Sequence, residues 1–260
     1  MGGRVRHEKE GPIGWIVFDQ PERRNAISVE MWEQLPGAVE ALGADPEVRT
    51  VVLRGEGGSF VAGADISQFA ERRTEAGDVS RYGSVVGGGL GALLRLEKPL
   101  LAAIRGPCVG GGVVVALTAD LRFAADDAVF RIPAARLGIG YETAGVEALA
   151  GVVGWSAALD LLLTARRIDA AEARRIGLVN EVVPAAGLDD FVRERAGQIA
   201  ENAPLTLRAV KIAARELRKP EALRDLDAMG AAYAACFASE DYQEGVAAFL
   251  EKRKPTFRGR

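Results

Sequence analysis

Apolar and polar positions along this 260-residue chain alternate between two rhythms. Short β-branched or aromatic runs end in glycine-bearing turns, and longer stretches follow with apolar residues at helical spacing. Gly14-Trp15-Ile16-Val17-Phe18-Asp19 predicts a strand, followed by a polar turn over 20–25. Ser28 is placed to cap a helix carrying Met31, Trp32, Leu35 and Val39, which Pro36 would kink or restart. Residues 48–53 and 99–104 predict two buried strands, and 120–124 and 129–133 two short ones. Asp65 is expected to open a helix through Phe69, ahead of a polar segment 71–84 read as a mobile loop. Helices are predicted over 111–118, 143–151, 155–164 and 170–176. Beyond about 187 only helical spacing remains. The fold class is therefore α/β: a core over 1–186 with parallel strands, then a helical region over 187–260.

Composition narrows the chemistry. The net charge of −3 is too balanced for a nucleic-acid binder that works through a basic face. The first ten residues carry no apolar stretch, so no signal peptide is expected, and no uninterrupted apolar run reaches about 18 residues, so no membrane span is expected. Cys108 and Cys236 are far apart, which fits a reduced cytoplasmic setting and no metal site. The only histidine, His7, lies in a polar N-terminal stretch and reads as a surface residue. A Ser-His-Asp or Cys-His mechanism thus has no usable base.

Two turns carry the candidate chemistry, Ala62-Gly63-Ala64-Asp65-Ile66 and the run from Gly106 through Val109, Gly110 and Gly111 to Gly112. Each follows a strand-like run and opens a helix-like one, so each aims free backbone N–H groups at one point. Two such donors can hold a carbonyl oxygen while it gains negative charge. The plain alternative is that these glycines only make tight turns. A third glycine run, 87–91, lacks both the preceding strand and the following Lys-Ser/Thr of a phosphate loop, and reads as a flexible entry to a helix near Leu90.

Four segments in order, Pro21 to Ser28, Phe60 to Ile66, Lys98 to Gly112 and Phe249 to Phe257, resemble the crotonase (enoyl-CoA hydratase/isomerase) superfamily over about residues 12–257. The resemblance implies a spiral of ββα turns, with a C-terminal helical region that packs a homotrimer or a dimer of trimers. It implies a coenzyme A thioester as substrate and no cofactor beyond that coenzyme A. It assigns the oxyanion donors to the backbone N–H groups of Ala64 and Gly111, and lines the thioester site with Ala26, Ala62, Ile66, Val109, Gly110, Val114, Pro133, Ala134 and Leu137. Arg23, Arg24, Lys252 and Lys254 match positions that supply cations to the CoA phosphates, and solvated surface charge accounts for each equally well. Asp65 reads as a helix cap or a ligand contact; the cap is favoured, because a carboxylate facing anionic CoA would be repelled.

The chain departs from that pattern where hydratases carry two glutamates, which hold and deprotonate water and deliver a proton to C2. Those positions are Val114 and Ala134. The acid that remains is Glu142, eight residues after Ala134, where isomerising relatives place an aspartate. Apolar neighbours (Ile139, Tyr141, Val114, Ala134) would raise its pKa and suit it to proton shuttling; otherwise it only stabilises the first turn of a helix. Tyr141 matches a tyrosine of some decarboxylating relatives, which however carry histidine at the position of Ala64; it reads as a proton donor or as packing. The expectation is double-bond isomerisation through Glu142 rather than hydration. A hydratase using other groups, and a non-catalytic acyl-CoA binder, are the alternatives.

Overall fold

The computed structural model describes residues 3–65 and 76–260. Ile66 and the helix expected through Phe69 lie outside them. Strands β1 (Arg4–Glu10) and β2 (Ile13–Asp19) form an antiparallel hairpin across a turn in which Gly11 takes φ +56°. Strands β3 (Thr50–Gly55), β4 (Leu100–Ile104), β6 (Leu121–Ala125) and β9 (Glu181–Val183) then add in parallel, giving the order β1-β2-β3-β4-β6-β9. A smaller sheet joins β5 (Pro107–Val109), β7 (Val129–Arg131) and β8 (Arg167–Asp169). Single bridges, Val61 to Cys108 and Ile27 to Ala64, extend it toward the first turn.

The near-continuous apolar runs of the central strands follow from burial on both faces. One face of the large sheet packs Ile16, Phe18, Leu53 and Ile104 against the small sheet and helices α1 (Val29–Ala44), α2 (Ala76–Arg95), α3 (Gly111–Thr118) and α5 (Thr143–Thr164). Between α3 and α5 lies the short α4 (Ala134–Leu137), and α6 (Ala170–Arg175) follows β8. The other face packs Trp15, Val17, Val52, Leu101 and Phe123 against Leu188, Val192 and Ala196 of α7 (Leu188–Ala200). Helices α8 (Pro204–Leu217), α9 (Leu226–Phe237) and α10 (Glu240–Glu251) follow. Lys211 pins α8 to the core, its ammonium 2.8 Å from Asp120 and 2.7 Å from the Lys98 carbonyl.

Three expectations need correction. The described part of segment 71–84 is helix, not loop, and the glycines of 87–91 lie inside α2 rather than ahead of it. Glycine costs about 0.5–1 kcal/mol per position in a helix interior, but Leu90, Ala92, Leu93 and Leu96 pack along the core side of this segment and tertiary burial outweighs that propensity. Pro36 sits inside α1 without ending it, while Ser28 Oγ accepts from Met31 N at 3.3 Å as expected. The break expected between 151 and 155 is real: Gly154 takes φ 77° and ψ 158° within α5. That helix is long and apolar enough to span a membrane, with mean hydropathy 1.6, yet Leu149, Ala150, Ala158 and Leu161 on it belong to the core.

Candidate active site

The first turn is held from below by Asn25. Its side chain, fully buried, accepts from Gln20 N and donates to the carbonyls of Glu56 and Ser59. Arg24 and Asn25 both take left-handed backbone angles, φ 53° and 56°. The chain is thereby turned so that the Arg24 carbonyl accepts from Ala62 N at 3.0 Å. Ile27 N donates to the Gly63 carbonyl and Asp65 N to the Ile27 carbonyl, so the ladder uses the amides on either side of Ala64. The Ala64 N–H itself donates to nothing among the described residues.

The second turn leaves β5 at Gly110, whose φ of 53° and ψ of −112° favour glycine. Gly110 N donates to the Arg131 carbonyl, and the Gly110 carbonyl receives Val113 N and Val114 N. Gly111, the first residue of α3, keeps an undonated N–H among the described residues, at the positive end of the helix dipole. A Cβ on Gly111 would stand 3.8 Å from Ala64 N, so the two free amides belong to neighbouring residues. Gly112 is obligatory for that approach, because a Cβ there would meet the Val61 carbonyl oxygen.

The other expected site residues stand as follows. Pro133 touches the turn, its Cδ 3.8 Å from the Cβ direction of Gly110, and Val109 presents its carbonyl to Gly63 at 3.3 Å by the same measure. Val114, Ala134, Ala26 and Ala62 are half-buried, and Leu137 is exposed. Neither Val114 nor Ala134 can carry a proton. Arg24 is exposed. Asp65 is buried, its carboxylate 2.5 Å from Arg23 Nη1. Lys254 lies on the surface, 2.5 Å from Glu201.

Tyr141 lays its ring against Gly145, where a Cβ would come within 2.8 Å of Cε1. Its hydroxyl is buried without a partner among the described residues. Burial first, then the neighbouring Cys108 and Glu142, push its pKa up to about 12, so it stays a protonated donor at neutral pH. Glu142 is the N-cap residue of α5, but its carboxylate makes no cap hydrogen bond. Its Oε1 lies 4.0 Å from the Cβ direction of Gly83 on α2. The apolar enclosure expected for it is absent: Glu142 is exposed, because the segment from Ala135 to Gly140 that leads into it runs largely along the surface. Two contributors went unrecognised in the sequence. Asn25 had a signal, an asparagine in a tight polar turn where left-handed angles are tolerated. Trp32 gave none beyond an apolar helix position, yet its Cζ2 lies 4.0 Å from the Cβ direction of Gly111.

The sequence profile of the enoyl-CoA hydratase/isomerase family matches residues 8–260. The chain belongs to this family. It is 36% identical to a short-chain-enoyl-CoA hydratase of Clostridium acetobutylicum, over 95% of the chain and 94% of the relative. It is 37% identical to a crotonyl-CoA hydratase of Syntrophomonas wolfei, over 96% of each. The crystal structure of an enoyl-CoA hydratase/carnithine racemase from Magnetospirillum magneticum superposes with a TM-score of 0.94 at 35% identity, covering 98% of this chain and 96% of that one. The two sheets and their helices are thus the crotonase fold, and the family to which this enzyme belongs acts on acyl-CoA thioesters.

Proposed function

We propose that the chain is a double-bond isomerase for enoyl-CoA thioesters. The observation that carries this reading is the pair of amides, Ala64 N–H and Gly111 N–H, that donate to nothing among the described residues and lie on neighbouring turns, while Val114 and Ala134 hold no proton. The two amides hold the thioester carbonyl oxygen as C2 loses a proton. Glu142 takes that proton from a 3-enoyl chain, the C3=C4 double bond shifts to C2=C3 through the dienolate, and the same carboxyl returns a proton at C4. Nothing is gained or lost overall. Tyr141, protonated, supplies a donor at the pocket wall. General acid–base transfer of this kind contributes about 10²–10⁴ in rate.

The test is incubation with short 2- and 3-enoyl-CoA in D₂O, followed by mass spectrometry, beside Glu142→Gln. Double-bond migration or deuterium uptake is expected to fall by about 10²–10⁴ in the variant. Hydration is the second reading, favoured by the hydratase names of the relatives. Water addition that survives Glu142→Gln would replace the isomerase with a hydratase using other groups.

We also propose that the chain assembles as a homotrimer or a dimer of trimers in a reduced cytoplasmic setting, where Cys108 and Cys236 stay free thiols. The chain exposes 13538 Å², whereas a 27.5 kDa monomer exposes about 11,000 Å². Large apolar side chains are exposed together on α9 and α10, Tyr233, Phe237 and Phe249 (83% exposed), and Trp155 and Leu163 are exposed on α5. Sedimentation equilibrium is expected to return three or six chain masses; a stable single chain would overturn the assembly.

A further inference from the structure

We infer that a cavity at the carboxyl ends of β3 and β4 binds a small monocarboxylate with a short apolar body. The cavity measures about 300 Å³ and lies beside the start of α7. None of its lining residues belongs to the turns 62–65 and 106–112. Strand alternation explains which side chains reach it. Trp15, Val52, Leu101 and Ala103 pack on the α7 face of the large sheet. Arg54 follows Val52 by two residues and Arg105 follows Ala103 by two, so both turn to that face, and both line the cavity.

The charge of these two arginines is poorly met. Arg122, Arg131 and Arg166 each donate Nε at 2.8 Å, to the carbonyls of Leu178 and Ala165 and to the Asp160 carboxylate. The Nε of Arg54 and that of Arg105 are instead buried with no partner among the described residues. Each guanidinium has one carboxylate contact there, and both are long: Arg54 Nη2 to Glu8 at 3.4 Å and Arg105 Nη2 to Asp189 at 3.4 Å. Glu8 is shared with Arg6, and Glu56, the other acid on the wall, stands 2.6 Å from Arg6 Nη2. Both arginine side chains stay 29% exposed, so their outer nitrogens can be reached from the cavity. A desolvated guanidinium with unused Nη donors matches the two oxygens of a carboxylate. The rest of the lining sets the ligand class. Phe60, Ala103 and Leu188 supply apolar wall for a short chain. The amides of Gly57, Gly58 and Ser59 donate to nothing among the described residues. With two acids facing two arginines, the lining suits a singly charged ligand that displaces Asp189 from Arg105, and disfavours doubly charged phosphate.

Isothermal titration calorimetry of the full chain with acetate, butyrate and inorganic phosphate tests this, in excess butyryl-CoA so that the thioester site is filled. Butyrate is expected to bind once per chain, about tenfold more tightly than acetate because two further methylenes are buried, and more tightly than phosphate. Arg54→Gln and Arg105→Gln are each expected to weaken butyrate about tenfold or more. Asp189→Asn removes the competing carboxylate and is expected to tighten butyrate binding, a gain that loss of folding cannot mimic. Absence of saturable butyrate binding to the parent chain would overturn the inference. So would a butyrate affinity left unchanged by Asp189→Asn or by the arginine substitutions in folded chains. Phosphate bound more tightly than butyrate, or acetate bound as tightly, would overturn the carboxylate with an apolar body in favour of a bare anion contact.

Discussion

Gly111→Pro is expected to fold with a melting temperature close to the parent and to turn over its enoyl-CoA about 10²–10³ times more slowly. Proline lacks the amide hydrogen and is well tolerated at the first position of a helix, which is where Gly111 stands in α3. Its Cβ would lie 3.8 Å from Ala64 N and 3.9 Å from the Gly63 carbonyl carbon, an ordinary contact. The residue before a proline must avoid helical angles, and Gly110 already does, at φ 53° and ψ −112°. The substitution therefore deletes one donor while sparing its surroundings. The loss corresponds to about 2.7–4 kcal/mol of transition-state stabilisation. It should appear in kcat more than in KM, because the amide gains most as the carbonyl oxygen becomes an enolate. Stopped-flow or coupled kinetics, with circular dichroism melting on the same preparation, would check it. Parental turnover in a folded variant would remove Gly111 from the oxyanion assignment.

The same residue shows what could be read from the sequence. A free amide at the first turn of a helix depends only on local backbone geometry, and the strand-glycine-helix pattern at 106–118 announces it. The buried strands β2, β3 and β4 were legible for a related reason: being covered on both faces, they carry near-continuous apolar runs. Strand β1 was not, because Arg4, Arg6, Glu8 and Lys9 mask it, and it is held by pairing with β2 and by ion pairs such as Arg6 to Asp19. The three-residue strands β8 and β9 are too short to establish a period. The part of helix α2 ahead of Leu90 was lost to its glycines, whose meaning lies in what they approach, Glu142 at Gly83 and Trp32 at Gly89. Approach of that kind is a tertiary fact. So is the exposure of Glu142, which its apolar sequence neighbours concealed. A tryptophan on an apolar helix face looks like core from the sequence; only the folded chain shows that its Cζ2 lies 4.0 Å from where a Cβ of Gly111 would stand.

Asn25→Ala is expected to cost the fold about 4–6 kcal/mol, a large effect for one side chain outside the apolar core. The fully buried amide closes three hydrogen bonds, from Gln20 N at 2.9 Å and to the carbonyls of Glu56 at 2.9 Å and Ser59 at 2.7 Å. Truncation leaves a donor and two acceptors unpaired, each worth about 1–3 kcal/mol when buried. Alanine must also hold φ 56°, a left-handed angle that costs it about 1–2 kcal/mol and costs asparagine less. For a chain of this size that sum lowers the melting temperature by roughly 8–24 °C. Asn25→Gly separates the two causes. It removes the same hydrogen bonds without the backbone penalty, so urea unfolding should place it about 1–2 kcal/mol above Asn25→Ala. Equal stabilities for the alanine and glycine variants would mean that the turn relaxes out of its left-handed angle once the side chain is gone. The Arg24 carbonyl would then move off Ala62 N, and with it the strand that presents Ala64. Turnover measured well below the lowered melting temperature would report that movement directly, because the amide of Ala64 is aimed by this bond and by the Ile27 ladder beside it.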